Sequence, residues 1–178
     1  TGVQTCALPI LVLQIQNTKI MEKRYGATER DDRLMQIGRQ KWELIYGYGT
    51  DGTMGWNWRQ RYTRKPTMEE VRATVTEQIN RNVDEKILCG MTYKDMQVWL
   101  STENQLNYKA AHDLAVQTNG KTLPVTFKFG TEDEPQYHTF ETVDELENFH
   151  VAMVKHIQTS LSEGWSEKDN MDWNKFKT

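Results

Sequence analysis

The segment after Pro66 fixes more of this chain's architecture than any other. Thr67 and Glu70 have the spacing of a capping box, and Met68, Val71, Val75, Ile79, Val83 and Ile87 then recur every three or four residues. Only an α-helix gathers such positions on one face, so the spacing predicts an amphipathic helix of roughly twenty residues, stopped at Gly90. One apolar face has to be covered by another element, so the flanking segments must supply a partner surface.

On the N-terminal side the period changes from 3.6 to 2. Trp42, Leu44, Tyr46 and Tyr48 alternate, GTDGTMG supplies turn residues, and Trp56, Trp58 and Tyr62 alternate again. This reads as a long β-hairpin over Lys41–Lys65. Upstream, ATERDDRLMQIGRQ fits either a short helix or an irregular strand. Downstream, MTYKDMQVWL reads as two short strands. Ser101 then caps a second helix, with Leu106, Ala110 and Leu114 expected inward and Gly120 near its end. In LPVTFKFG, Leu123, Val125, Phe127 and Phe129 face one way and Thr126 and Lys128 the other. YHTF is expected to pair back on that strand across the TEDEPQ loop. Thr142 and Glu145 cap a long helix whose Val143, Leu146, Phe149, Met153, Ile157 and Leu161 share a face, and the polar tail SEKDNMDWNKFKT is expected to fray.

Hairpins alternating with helices predict an α+β fold, in which antiparallel hairpins carry three main helices packed on the sheet. Val75, Ile79, Phe127, Phe149, Met153 and Ile157 are expected in one core, with the first and last helices covering one sheet face.

Charge divides the chain where the helix begins. Residues 18–66 carry 11 Lys+Arg against 6 Asp+Glu, and residues 67–178 carry 11 against 19, within a net charge of −3. The organisation expected is therefore a basic hairpin region over 11–66 and an acidic α+β domain over 67–178. Either the two segments neutralise each other or they meet in a head-to-tail contact between copies. The acidic balance gives no reason to expect long nucleic acid as a partner, and no apolar run is long enough for a membrane helix.

Residues 1–10, TGVQTCALPI, continue none of these periods and carry no charge. One back-translation of this decapeptide reads as a short-read sequencing adapter, so it is expected to be a translated artefact fused to a frame from environmental DNA, with Met21 a candidate start. A truncated signal peptide is the competing reading. Without Cys6, Cys89 stands alone, which excludes a disulfide framework and a cysteine-based zinc site and fits a reducing compartment. Cys89 ends the apolar helical stripe and is expected to be a buried thiol.

Little in the spacing points to catalysis. His150 and His156 lie on different sides of a helix, His112 falls on a polar side, and no HExxH or HxxxH spacing occurs, so neither metal nor cofactor is expected. The glycines of GYGTDGTMG sit between strands, where they make a turn, and Glu132, Asp133 and Glu134 read as a solvated loop tip. The stretch Trp56, Trp58, Arg59, Arg61, Tyr62, Arg64 and Lys65 is the candidate binding surface. It interleaves rings that stack on bases with cations that pair with phosphates. Alternation places Trp56, Trp58 and Tyr62 opposite Arg59 and Arg61, so the rings are expected to pack on a helix and the arginines to face solvent near Glu43 on the partner strand.

The blocks KILCG, TYKDMQVWLSTENQLNY, LPVTFKFG and YHTF, with the long helix that follows, resemble a domain of unknown function carried by tailed phages and prophages, often at the C-terminal end of tail-fibre or tail-associated proteins. The likeness runs from Thr67 to about Trp173, and GWNWRQRYTRKPT is similar to the version in phages of gut Bacteroides-type bacteria. The family brings no catalytic residues. The resemblance implies a phage-encoded, non-enzymatic, tail-associated structural or adaptor protein. It would act by protein–protein contact, as a homo-oligomer with tail proteins as partners, in the host cytoplasm during infection or on the virion tail. The Trp/Arg stretch leaves two alternatives open. One is an anti-defence protein that sequesters a small nucleotide immune signal, and the other is a carbohydrate-binding tail module.

Overall fold

The computed structural model describes residues 20–178, so the expectation for residues 1–10 lies outside the described residues. The class is α+β: among the described residues, three α-helices accompany eight strands, every pairing antiparallel. The described residues fall into two compact units, one of Asn82–Trp165 and one of 20–81 with Ser166–Thr178. The composition and charge change at Pro66, whereas the units divide within the first helix, α1 (Met68–Cys89), and within the last, α3 (Val143–Asp169).

The unit containing residues 20–81 is built on one four-stranded sheet of order β1–β4–β3–β2, from β1 (Glu22–Tyr25), β2 (Arg33–Gly38), β3 (Lys41–Asp51) and β4 (Met54–Tyr62). The β3–β4 register places Trp42 opposite Tyr62, Leu44 opposite Gln60 and Tyr46 opposite Trp58 on one face, with Glu43–Arg61 and Ile45–Arg59 on the other. The ambiguous upstream segment is the edge strand β2, with an irregularity between Gln36 and Gly38. The alternation breaks after Tyr46, where Gly47 takes φ +68° and the register shifts before Gly49. Tyr48 therefore turns outward instead of continuing the row of Trp42, Leu44 and Tyr46, which is how a bulge acts on a strand.

Helical pieces of the same unit cover the Leu44 and Tyr46 face. Val71, Val75 and Ile79 of α1 are fully buried, and Tyr62 Oη lies 2.9 Å from Thr74 Oγ1 of α1. The capping box forms as expected: Glu70 N donates to Thr67 Oγ1 at 3.2 Å and Thr67 N to Glu70 Oε2 at 2.8 Å. The tail does not fray. It closes in the 3₁₀ turn η1 (Trp173–Phe176), with Phe176 buried and Arg72 5.2 Å from the Trp173 ring. The polar composition of the tail hides two aromatic anchors, and these outweigh it.

The unit Asn82–Trp165 holds two separate hairpins, β5 (Met91–Tyr93) with β6 (Met96–Val98) and β7 (Val125–Gly130) with β8 (Pro135–Phe140), together with α2 (Thr102–Gln117) and most of α3. Its core is aromatic. Phe149 of α3 lies 5.4 Å from Phe129 and 5.3 Å from Phe140, and Tyr108 of α2 lies 4.7 Å from Phe127, centroid to centroid. Val125, Phe127 and Phe129 share the inner face while Thr126 and Lys128 are exposed, as the alternation predicts.

Three expectations need correction. The six expected core residues do not form one cluster: Phe127, Phe149, Met153 and Ile157 join the aromatic core, while Val75 and Ile79 belong to the other unit, because the strands make three sheets rather than one. On α2 the inward residues are Tyr108 and Ala115, and Leu106, Ala110 and Leu114 face solvent. The leucines had suggested the opposite face, but Tyr108 buries a whole ring among phenylalanines and fixes the helix orientation. Cys89 is half-buried, with Sγ 3.1 Å from the Glu85 carbonyl oxygen.

Candidate functional site

The seven residues singled out in the sequence separate into four places on the sheet and its exit. Pleating sends Trp56 and Trp58 to one face and Arg59 and Arg61 to the other, as the alternation predicts. Tyr62 shares the tryptophans' face, and its hydroxyl lies 2.9 Å from Thr74 Oγ1 of α1. Trp56 and Trp58 lie at the far end of the hairpin beside β1, where Tyr25 stands opposite Trp56 and Lys23 opposite Trp58.

At that end Asp51 organises a network. Its Oδ2 accepts from Lys23 Nζ and Tyr25 Oη, each at 2.7 Å, and its Oδ1 accepts from Trp56 Nε1 at 3.0 Å. Hydrogen bonds from Lys23 first, and then Tyr25, hold the Asp51 carboxyl at about 2, well below its ordinary value. The same contact raises the Tyr25 phenol. Lys23 Nζ sits 4.2 Å from the Trp56 ring centroid, a cation–π contact. The indole also lies over Gly49, where an added Cβ would come within 2.2 Å of a ring carbon. Trp58 meets Trp56 edge to face at 5.2 Å. Tyr25 is 52% exposed and Met54, at the turn, 58%. Lys23, Tyr25, Asp51 and Met54 are the residues the sequence reading missed. The Asp-Gly turn was a usable signal, but β1 is only four residues long and shows no clear alternation.

On the opposite face the arginines are committed. Arg59 Nη1 donates to Glu43 Oε2 at 3.1 Å and Arg61 Nε to Glu43 Oε1 at 2.9 Å, and the Glu43 side chain is only 6% exposed. Arg64 makes a forked pair with Glu70, whose carboxyl is held at about 2 chiefly by that guanidinium. Lys65 Nζ donates to the Thr178 carbonyl oxygen at 2.6 Å and lies 5.1 Å from the Trp42 ring. Each of the four expected cations thus has an internal partner, and for two of them that partner belongs to the hairpin itself.

Three further polar groupings lie elsewhere. Arg30 bridges buried Asp32 at 2.8 Å and Glu167 at 3.1 Å, and Glu167 accepts from Tyr46 Oη at 2.6 Å. Burial and that carboxylate push the Tyr46 phenol far up. His138 Nε2 lies 3.0 Å from Glu145 Oε1, which Lys94 also contacts. His112 and His150 stack between α2 and α3. Among the described residues, no three His, Cys, Asp or Glu side chains converge in a way that could hold a metal ion, and no described helix is long and apolar enough to cross a membrane.

No protein-family model matches the chain, and no curated protein or solved structure matches it either.

Proposed function

We propose that this protein is a phage-encoded, tail-associated adaptor that acts by protein–protein contact, self-associates, and uses the free end of the β3–β4 hairpin as its contact surface. The observation that carries this reading is the pairing of exposed Tyr25 and Met54 with a frame that cannot easily rearrange. Asp51 ties Lys23, Tyr25 and Trp56 together, so little side-chain entropy remains to be lost on association. Aromatic and methionine side chains on a rigid backbone are characteristic of protein interfaces. The phage assignment rests on the sequence blocks between Thr67 and Trp173, and with it the location in the infected host or on the virion tail.

The two ligand readings find less support at the same place. A nucleotide or sugar stacking on Trp56 would need an open ring face, but Lys23 already lies over this ring and the Gly49 backbone lies against it. Arg59 and Arg61, the phosphate partners of the nucleotide reading, lie on the opposite face and are paired to Glu43.

Light scattering coupled to gel filtration tests the adaptor reading. We expect an oligomer at micromolar concentration, and a Tyr25→Asp, Met54→Asp double variant that is monomeric and still folds cooperatively. A monomeric parent, or an oligomer that survives both changes, would overturn it.

A further inference from the structure

We propose that the stacked imidazoles of His112 and His150 form an acid-sensitive latch that holds α2 over the aromatic core and releases it when they take up protons. The two rings are nearly parallel, 12° apart, with centroids 4.3 Å from one another. Neutral imidazoles accept that arrangement, but two imidazoliums would face each other ring to ring and repel.

The hydrogen bonding specifies which proton is costly. His112 Nδ1 lies 3.3 Å from Asp113 Oδ1, so Nδ1 is the nitrogen that carries the hydrogen in the neutral ring. Nε2 is buried and has no hydrogen-bond partner among the described residues. As a bare lone pair it forgoes one hydrogen bond to water there. Protonated, it becomes a buried N–H without an acceptor, which the folded arrangement disfavours. His150 is disfavoured as a cation too: burial holds its pKa below the ordinary histidine value, with His112 adding to the effect. From α2 the groups that act on His150 are Lys109, His112 and Asp113. Lys109 reinforces the depression, Asp113 opposes it, and the two are ion-paired with each other. On α3 itself, Glu147 stands one turn earlier.

The element these rings hold is lightly attached. Within α2 only Tyr108 and Ala115 are buried, and Leu106, Ala110 and Leu114 on its outer side touch solvent. Tyr108 is nonetheless a wall of the core, 4.7 Å from the Phe127 centroid and 5.2 Å from that of Phe149. Loss of the stack would let Tyr108 withdraw and uncover those phenylalanines. The direction follows from linkage: in the released form His150 binds its proton at the ordinary histidine value, in the latched form only below it. The latch is therefore shut above about pH 6.5 and opens as pH falls through the window beneath.

Amide hydrogen exchange on the full chain, at roughly pH 7.5 and 5.5 and corrected for intrinsic rates, reads the latch directly. Protection across residues 102–117 should fall at least about tenfold at the lower pH relative to the Val71–Ile79 stretch of α1. The same measurement on a His112→Phe, His150→Phe double variant, which keeps two flat rings but has no proton to gain, should show α2 protected at both values. Carbon-edited NMR of the parent supplies an arm that needs no variant: the His150 ring signals should move below the ordinary histidine value. Protection of α2 that does not change with pH, a loss that persists in the double phenylalanine variant, or the His150 ring titrating at or above the ordinary value would overturn the proposal.

Discussion

Glu43 and Arg59 meet across the β3–β4 pair at 3.1 Å, with the carboxylate beneath the sheet surface and the guanidinium reaching down from it. Arg61 completes the clasp from the next position on that face. The asymmetry of burial sets the energetics. Arg61 is largely exposed and can return to water, whereas Glu43 cannot.

Removing the cations should therefore cost more than removing the anion. An Arg59→Ala, Arg61→Ala double variant leaves Glu43 buried and unpaired, and we expect a loss of about 3 kcal/mol. Glu43→Gln keeps the shape and frees both arginines, and it should cost about 1 kcal/mol. Urea unfolding of the two variants checks the order. If Glu43→Gln were the more damaging change, the clasp would not be what buries the charge.

The capping box predicts how stability responds to acid. Arg64 and the Thr67 backbone hold the Glu70 carboxyl at about 2 in the fold, against 4.5 for an unperturbed glutamate. Between those values the unfolded chain binds the proton that the folded chain refuses. Glu70 thus contributes stability above about pH 4.5, and this contribution fades as pH falls toward 2. Because the pair is exposed, salt should shrink the effect. In Glu70→Gln the acid limb of melting temperature against pH should be shallower than in the parent, and parallel limbs would show that Glu70 carries none of it.

The reversal of α2 has a direct test. Phe149 is fully buried, and Phe149→Ala should cost about 3–5 kcal/mol. Leu106 is 66% exposed, and Leu106→Ala should stay within about 0.5 kcal/mol of the parent. Had the leucine stripe been the inner one, the second change would cost several times more.

These cases show why some of the fold was legible and some was not. Thr67, Glu70, Val71, Val75 and Ile79 could be read because capping and helical period are local, and so could the Val125–Phe129 alternation. The α2 orientation depended on Tyr108 finding Phe127, nineteen residues away in sequence, and two apolar stripes on one helix look alike until a partner selects between them. The candidate surface was half legible. Alternation separated Trp56 from Arg59 correctly, but the residues that occupy the tryptophan, Lys23 and Asp51, come from a short edge strand and a turn that carry no periodic signal.

Gly49 offers the sharpest test of that surface. The strand reaches it just after the shift in register, and the Trp56 indole lies flat on its backbone with no room for a methyl group: a Cβ would approach ring carbons at 2.2, 2.6 and 2.8 Å. Gly49→Ala must therefore push the indole outward, away from the Asp51 carboxylate that accepts its Nε1 hydrogen at 3.0 Å. We expect a loss of about 1–3 kcal/mol, with a red shift in tryptophan emission as the ring enters water. The contact is isolated by repeating the change without the indole. In a Trp56→Ala background the new methyl has space, and Gly49→Ala should cost less than about 0.5 kcal/mol there, leaving a clear coupling between the two positions. Equal cost in both backgrounds would mean that the backbone at Gly49, and not the tryptophan over it, resists the change.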